Sequence, residues 1–442
     1  MLRSQNSLDN KDSKIQFYPA FLIPKGVLMI TVVQDNIRVQ VLTENILRVE
    51  YSANGTFEDR PTYFVPDRQF ANDAQAFVQY NFKNVNILFG NYNLIIPKKA
   101  TSIAGVNLSK NGIKIYSCMP MKNSGELPPL WDTPEVFAVA DNPRIVFSEN
   151  SCEYSLEEDV QDVYLLLCQK DFKLLRRLFV TLCGRNELVR LSTLGYWNSK
   201  YYEYTQQTAM QNIADHRLHG IPLDNMVVDT DWRKSHSGTG YEINTKLFPD
   251  MKAFLRSAHA SNVEITFNDH PEPLAEAKSC LDPVEQEFRQ EKLTSLLNLG
   301  VDCLWYDRNW MTHLVSPTPN VHAESLGMYI YHKATRKKFI ADSHSKNIFR
   351  RPVILANVDD VHNGNYLGIN DSASHSYSVQ WTGDIGSDYG DLYKEIVSLV
   401  RGGNNCVPYI NADCGGHTGN PDKHQFVRWN QFCALSPIYR PH

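Results

Sequence analysis

The chain changes rhythm partway along, and that change limits its possible folds more than any other feature. From residue 191 onward, short apolar runs recur at Thr193 to Trp197, Met226 to Asp229, Glu264 to Phe267, Cys303 to Asp307, Val353 to Asn357, Ser378 to Asp384 and Val407 to Ala412, with a last run near Leu435 to Tyr439. Eight strand-like runs, most followed by a helix-like stretch, predict a (β/α)8 TIM barrel over 191–442. Before it, Ile37 to Leu42, Ile46 to Tyr51, Phe77 to Phe82, Val85 to Phe89, Tyr92 to Ile96 and Gly112 to Tyr116 are extended runs separated by turn signals such as Asn54-Gly55. Alternation such as Ile37-Arg38-Val39-Gln40-Val41 places apolar side chains on one strand face, so residues 1–169 read as an N-terminal β-sandwich domain. Residues 170–190 read as a helical linker, with Leu174, Leu175, Leu178, Phe179 and Leu182 on one face and Gly184 as its stop.

The barrel helices carry their own punctuation. Asp282-Pro283 followed by Glu285 supplies an N-cap, a proline at the first helical position and a capping acid, and Gly300 ends the segment. Its expected inward stripe is Val284, Phe288, Leu296 and Leu297. Phe248-Pro249-Asp250 opens another helix, with Met251, Phe254, Leu255 and Ala258 inward. Asp391 opens a third, with Leu392, Ile396, Val397 and Val400 inward and Gly402 at its end.

Composition excludes several classes. With 42% hydrophobic and 21% charged residues the chain has the apolar material to bury a core. Lys plus Arg number 44 against 49 Asp plus Glu, so no summed positive field is available to hold a phosphate backbone, and nucleic acid is not an expected partner. No apolar run approaches the ~20 residues that span a bilayer, so no membrane association is expected. The polar start and the broken apolar stretch after it encode no clear secretion signal, which makes a cytoplasmic address the expectation. The nine cysteines contain no C-x-x-C pair, so neither a disulfide framework nor a thiolate zinc site is expected, and most should be buried thiols.

In a barrel of this kind the chemistry sits at the C-terminal ends of the strands. Asp229, Asp307, Asp384 and Asp413 close the second, fourth, sixth and seventh runs, Asp269 and His270 follow the third, and Trp197, Trp305, Trp310 and Trp381 lie beside them. A single aspartate there serves equally well as a helix N-cap, and a single tryptophan as core filling. Together, opposed carboxylates and sugar-sized aromatic faces point to glycoside hydrolysis. Asp229-Thr230-Asp231 has the form of a metal-binding pair, but no Gly-rich phosphate loop, H-E-x-x-H or G-x-S-x-G occurs, and no metal or cofactor is expected.

Several ordered segments then carry a family resemblance: Leu194-Gly195-Tyr196-Trp197, Ile221-Pro222-Leu223-Asp224 with Asp229-Thr230-Asp231-Trp232, Phe248-Pro249-Asp250, Leu304-Trp305-Tyr306-Asp307, Trp381-Thr382-Gly383-Asp384, and Val427-Arg428-Trp429 through Ser436-Pro437 to Arg440-Pro441-His442. They resemble the motifs of glycoside hydrolase family 31, the α-glucosidase and α-xylosidase family, and Val41 to Tyr51 resembles part of its N-terminal β-sandwich. The resemblance implies a retaining α-glycoside hydrolase acting on oligosaccharides or glycosides, α-glucosidase-like, with no cofactor. It implies Asp307 as nucleophile and Asp384 as general acid/base. It implies Asp229 as a carboxylate that binds sugar hydroxyls and His442 as a substrate-binding residue that contacts the sugar at the same subsite, with Trp305 and Trp381 lining it.

The sequence departs from the family in three places, the first two of which shift the expected specificity. The family continues after the nucleophile with Met-Asn-Glu, where this chain has Arg308-Asn309-Trp310. Asn357 stands where the family places a substrate-binding arginine, so an uncharged amide would recognise a different hydroxyl pattern. Family members also continue past the Arg-x-His motif, whereas this sequence stops at His442, so the barrel is expected to lack its C-terminal part. Sugar, linkage and oligomeric state are left undetermined by the sequence. The alternative readings are a transglycosidase of other sugar specificity and a non-catalytic carbohydrate-binding or scaffold protein derived from such an enzyme.

Overall fold

The structure, a computed structural model, describes residues 21–22, 30–70, 74–121, 128–129, 131–141, 144–147, 152–155, 160–235, 239–270, 272–278, 282–307, 323–346, 350–356, 375 and 379–442. Contacts divide the chain into two compact units: one of residues 1–59, 69–121 and 157–167, the other of 60–68, 122–156 and 168–442.

The first unit is built of antiparallel sheets. Ala76–Tyr80, Asn84–Phe89, Tyr92–Pro97, Asn107–Lys110 and Ile113–Ser117 form a meander. Ile30–Gln34, Ile37–Thr43 and Ile46–Ser52 pair in sequence, and Val160–Leu166 returns to pair with Ile46–Ser52. Period-two patterning decides which faces are covered: Val85, Ile87 and Phe89 are buried, as are Leu94 and Ile96 on the next strand. The buried guanidinium of Arg48 meets Asp162 across paired strands, Nη2 to Oδ2 at 2.5 Å, which keeps both charges compensated away from water.

The second unit carries a parallel sheet of seven strands, Trp197–Asn198, Asn225–Val228, Glu264–Asp269, Cys303–Tyr306, Ile354–Ala356, Val379–Trp381 and Ile410–Asn411, each hydrogen-bonded to its neighbour in sequence. Trp197, Val227, Cys303, Trp305, Leu355, Val379 and Trp381 pack together as one buried cluster. Tyr439 bridges in parallel to Tyr196 and Pro441 to Cys414, so the segment 439–442 is bonded both to the first strand's side and to the seventh's. No described helix is long and apolar enough to cross a membrane.

The predicted punctuation holds where it rests on caps. Asp171 caps Phe172–Leu182, and Asp250 caps Met251–Ala260, whose buried residues are Met251, Phe254, Leu255 and Ala258. Asp282 accepts from the Val284 and Glu285 amides at the start of Pro283–Leu299, and Gly300 at φ +122° ends it.

Four expectations are corrected. Leu191–Leu194 is a 3-10 turn, and the first strand is only Trp197–Asn198, because Asp224 Oδ2 captures the Tyr196 amide and fixes the approach to the sheet. The last expected strand begins later: after the helix Lys423–Cys433 the chain turns, and sheet-like bonding starts at Tyr439. In Pro283–Leu299 Val284 is exposed, because the buried ion pair between Glu285 and Arg289 (Nη2 to Oε1, 2.7 Å) takes the inward face. The helix Tyr389–Asn404 is capped by Asp388, not Asp391, and buries Leu392, Glu395, Ser398 and Gly402 while Ile396 and Val400 face solvent.

The cysteines follow the expectation in part. Cys118, Cys168, Cys183 and Cys303 are buried thiols, whereas Cys414 and Cys433 form a disulfide with Cα atoms 6.2 Å apart. The helix Lys423–Cys433 brings together residues whose spacing gave no sign of pairing.

Candidate active site

The C-terminal ends of the parallel strands gather the carboxylates. Asp307 follows the fourth strand, and its amide donates to the Asp269 carbonyl at 3.2 Å, which continues the ladder and fixes the backbone there. Its Oδ2 is 2.6 Å from His270 Nε2 and accepts from Asn268 Nδ2 at 3.3 Å. The same Asn268 amide donates to Asp229 Oδ1 at 2.9 Å, so one side chain of the third strand ties together the acids closing the second and the fourth. Asn268 is a site residue that the strand-end pattern missed, although it stands next to Asp269 and His270, which that pattern named without assigning them a partner.

Electrostatics distinguishes these groups. Asp229 is buried, and burial pushes its pKa up to about 7; the Thr230 amide resists the rise and the negative charge of Asp307 adds to it. Burial pulls on His270 in the other direction, but its hydrogen bond and charge interaction with Asp307 outweigh this and leave it above the usual histidine value. A cation-leaning imidazole beside Asp307 favours the ionised form of that carboxyl.

The aromatic wall is continuous with a buried guanidinium. Trp305 meets Trp381 edge to face at 5.0 Å and the His442 ring at 5.5 Å, while the Arg440 guanidinium lies 4.9 Å from the Trp305 ring. Trp381 donates its indole N–H to Asp413 Oδ1 at 2.7 Å, and Arg440 donates to the same oxygen. The Trp305 indole N–H is buried with no hydrogen-bond partner among the described residues, a donor that a ligand can satisfy. His442 accepts or donates at both nitrogens, to Ser199 Oγ at 2.9 Å and His417 Nδ1 at 2.8 Å. Burial lowers its pKa to about 4, with Arg440 and His417 adding to the fall, so the ring is neutral near pH 7.

Asp384 sits differently. It follows the sixth strand with its side chain 63% exposed, against 12% for Asp307, and its Oδ2 lies 3.9 Å from His417 Nε2. Its loop is tied to the next one: Thr418 N donates to Ile385 O at 3.1 Å, and a Cβ on Gly416, at φ +91°, would stand 2.6 Å from Ser387 backbone atoms. Only glycine permits that approach, and the approach brings His417 to Asp384. The expected site residues Asp229, Asp307, Trp305, Trp381, Asp384 and His442 are thus linked through Asn268, His270 and His417. Asn357 and the segment Arg308-Asn309-Trp310 lie outside the described residues.

Behind this wall Glu395 is fully buried, its Oε1 accepting from Thr382 Oγ1 at 2.7 Å, and burial pushes its pKa up from 4.5 to about 8. A carboxyl that stays protonated when folded but ionises when unfolded binds the extra proton in the native state, so stability falls as pH rises from 4.5 towards 8. Glu395→Gln removes this loss. The variant's unfolding free energy, from denaturant titrations, is expected to differ from wild type by a constant amount below about pH 4.5 and then to gain on it increasingly up to pH 8.5, by on the order of a few kcal/mol. A difference that stays constant with pH would rule out Glu395 as the titrating group.

Comparison with known proteins follows the same region. Residues 186–279 and 272–442 match the family model described as the glycosyl hydrolases family 31 TIM-barrel domain. An alpha-xylosidase of Saccharolobus solfataricus is 25% identical over 292 residues, covering 59% of this chain and 39% of that protein. The neutral alpha-glucosidase C of Macaca fascicularis is 22% identical over 336 residues, covering 67% of this chain and 43% of its own length. This chain therefore spans about two fifths of these curated relatives. Among solved structures, a GH31 alpha-xylosidase from a soil metagenome complexed with xylose superposes with a TM-score of 0.62 at 12% identity, covering 95% of this chain and 77% of that one. At that identity the likeness is one of fold.

Proposed function

The chain belongs to glycosyl hydrolase family 31, and on that premise we propose that it cleaves O-glycosyl bonds of α-linked oligosaccharides with retention of configuration, by double displacement. Asp307 attacks the anomeric carbon as a carboxylate and Asp384 protonates the leaving oxygen, then takes the proton of the incoming water. Retention requires the two carboxyls to approach to about 5–5.5 Å across the sugar. The observation that carries the assignment is the contrast between them: Asp307 is nearly enclosed and held by His270 and Asn268, whereas Asp384 is open to solvent, where protons are exchanged with water.

Asp229, mostly enclosed, binds hydroxyls of the same sugar, Trp305 offers both a face and its unsatisfied N–H, and His442, neutral and engaged at both nitrogens by Ser199 and His417, meets the sugar with its ring. The eighth stave of the barrel is then 439–442, supported by its bonds to both neighbours. Asn357, an amide in place of the family's arginine, selects the glycone.

The test is release of nitrophenol from aryl α-glucosides, α-xylosides and α-galactosaminides, with proton NMR of the first sugar formed. The α anomer is expected first from one glycone. A β anomer first would overturn retention, and no release from the whole panel would favour a non-catalytic sugar-binding protein.

A further inference from the structure

Resting on the assignment of Asp384 as acid/base, a directed line of polar groups can be followed to that carboxyl. It starts at Arg440, fully buried and a donor only. Arg440 Nη1 reaches Ser199 Oγ at 3.0 Å and stands 3.5 Å from His442 Nδ1, while Ser199 Oγ is 2.9 Å from the same nitrogen. Facing a permanent donor, Nδ1 is the unprotonated nitrogen of the neutral ring, so the Ser199 hydroxyl donates to it and the His442 proton sits on Nε2. His442 Nε2 then donates to His417 Nδ1 at 2.8 Å, which in turn places the His417 proton on Nε2, the atom 3.9 Å from Asp384 Oδ2.

We propose that Arg440, Ser199, His442 and His417 form a one-way hydrogen-bond relay whose last N–H faces the Asp384 carboxylate, making His417 a positioning residue for the acid/base group. The loops are shaped for it: the planes of the two imidazoles lie within 18° of each other with centres 5.0 Å apart, as an in-plane N–H···N bond requires, and the Thr418 to Ile385 bond holds His417 near Asp384. Asp413, His417 and His442 also present ligand atoms within 4.8 Å of one another. Arg440, however, already donates to Asp413 and borders His442, so a guanidinium supplies the positive charge that a cation would bring. The other titratable groups facing the relay among the described residues include Asp413 and Asp307, both acting on His442 through their charge, Glu395, which interacts with Arg440 through its charge, and Tyr201, whose ring is 6.3 Å from His417.

The consequence concerns the second half of the reaction. A donor aimed at Asp384 favours its ionised form, the form that must deprotonate water to release the glycosyl-enzyme. In His417→Phe the alkaline limb of kcat/KM is expected to move up by about one pH unit, and kcat on an aryl glycoside of good leaving group to fall about tenfold. His417→Gln, which keeps an N–H in that place, returns the limb towards wild type. Nitrogen-15 spectra of histidine-labelled protein are expected to show His417 and His442 both protonated at Nε2. A proton on His442 Nδ1, or a His417→Phe profile changed only in KM, would overturn the relay. Asp384→Ala separates the two claims: if it hydrolyses good and poor leaving groups equally well, the acid/base assignment itself fails, whatever the histidines do.

Discussion

Asp307→Asn is expected to lower kcat on every aryl α-glycoside by roughly four orders of magnitude or more, the scale seen when a catalytic nucleophile is removed. The amide keeps the shape and can still accept a hydrogen bond from His270, so binding and folding are largely preserved. What is lost is the electron pair that forms the glycosyl ester and the negative charge that stabilises an oxocarbenium-like transition state. The enclosure of Asp307 makes this loss severe, because the side chain is only 12% exposed and water has little access from which to replace the attack. Kinetics would be paired with mass spectrometry of enzyme inactivated by a 2-deoxy-2-fluoroglycosyl fluoride, which labels wild type and leaves the variant unlabelled. Residual turnover within tenfold of wild type, or an adduct on another carboxylate, would remove Asp307 from the role.

Asp384→Asn is expected to divide substrates by leaving group. Alkyl or sugar leaving groups need a proton as the bond breaks, and their kcat/KM should fall by about 10²–10⁴, the range that general acid catalysis supplies. Dinitrophenolate leaves as an anion, and its first step should slow little. Deglycosylation then becomes limiting, because no base activates water, and added azide should restore turnover by attacking without one. Equal losses across leaving groups, with no azide effect, would count against Asp384 and shift attention to a group outside the described residues.

Caps and strand ends were legible because they are local. Asp282, Pro283 and Gly300 act within a few residues of themselves, and the stripe Met251, Phe254, Leu255 and Ala258 matched one helix face. The stripe of Tyr389–Asn404 failed for a reason no periodicity carries. A Cβ at Gly402 would stand 2.9 Å from Ile410, so the helix backbone lies against the seventh strand and the bulky Ile396 and Val400 turn outward. Likewise the barrel carboxylates could be found from their positions after apolar runs, but the partners that tune them could not. His417 matters because Gly416 lets two loops touch, and His270 because its ring reaches Asp307 from the neighbouring strand. The motif histidine and arginine at the chain's end were recognisable, yet their bonds to Ser199 depend on a meeting between segments 241 residues apart.

That separation has a bearing on biosynthesis. The strand-like segment carrying Arg440 and His442 pairs with the first one, so the Trp197 edge of a nascent chain has no partner on that side until translation has run through the intervening 241 residues. At roughly 5–20 residues per second this interval lasts on the order of ten to fifty seconds. For that time an open sheet edge is offered to chaperones and to other nascent chains, and the pocket lacks its guanidinium until the interval has passed.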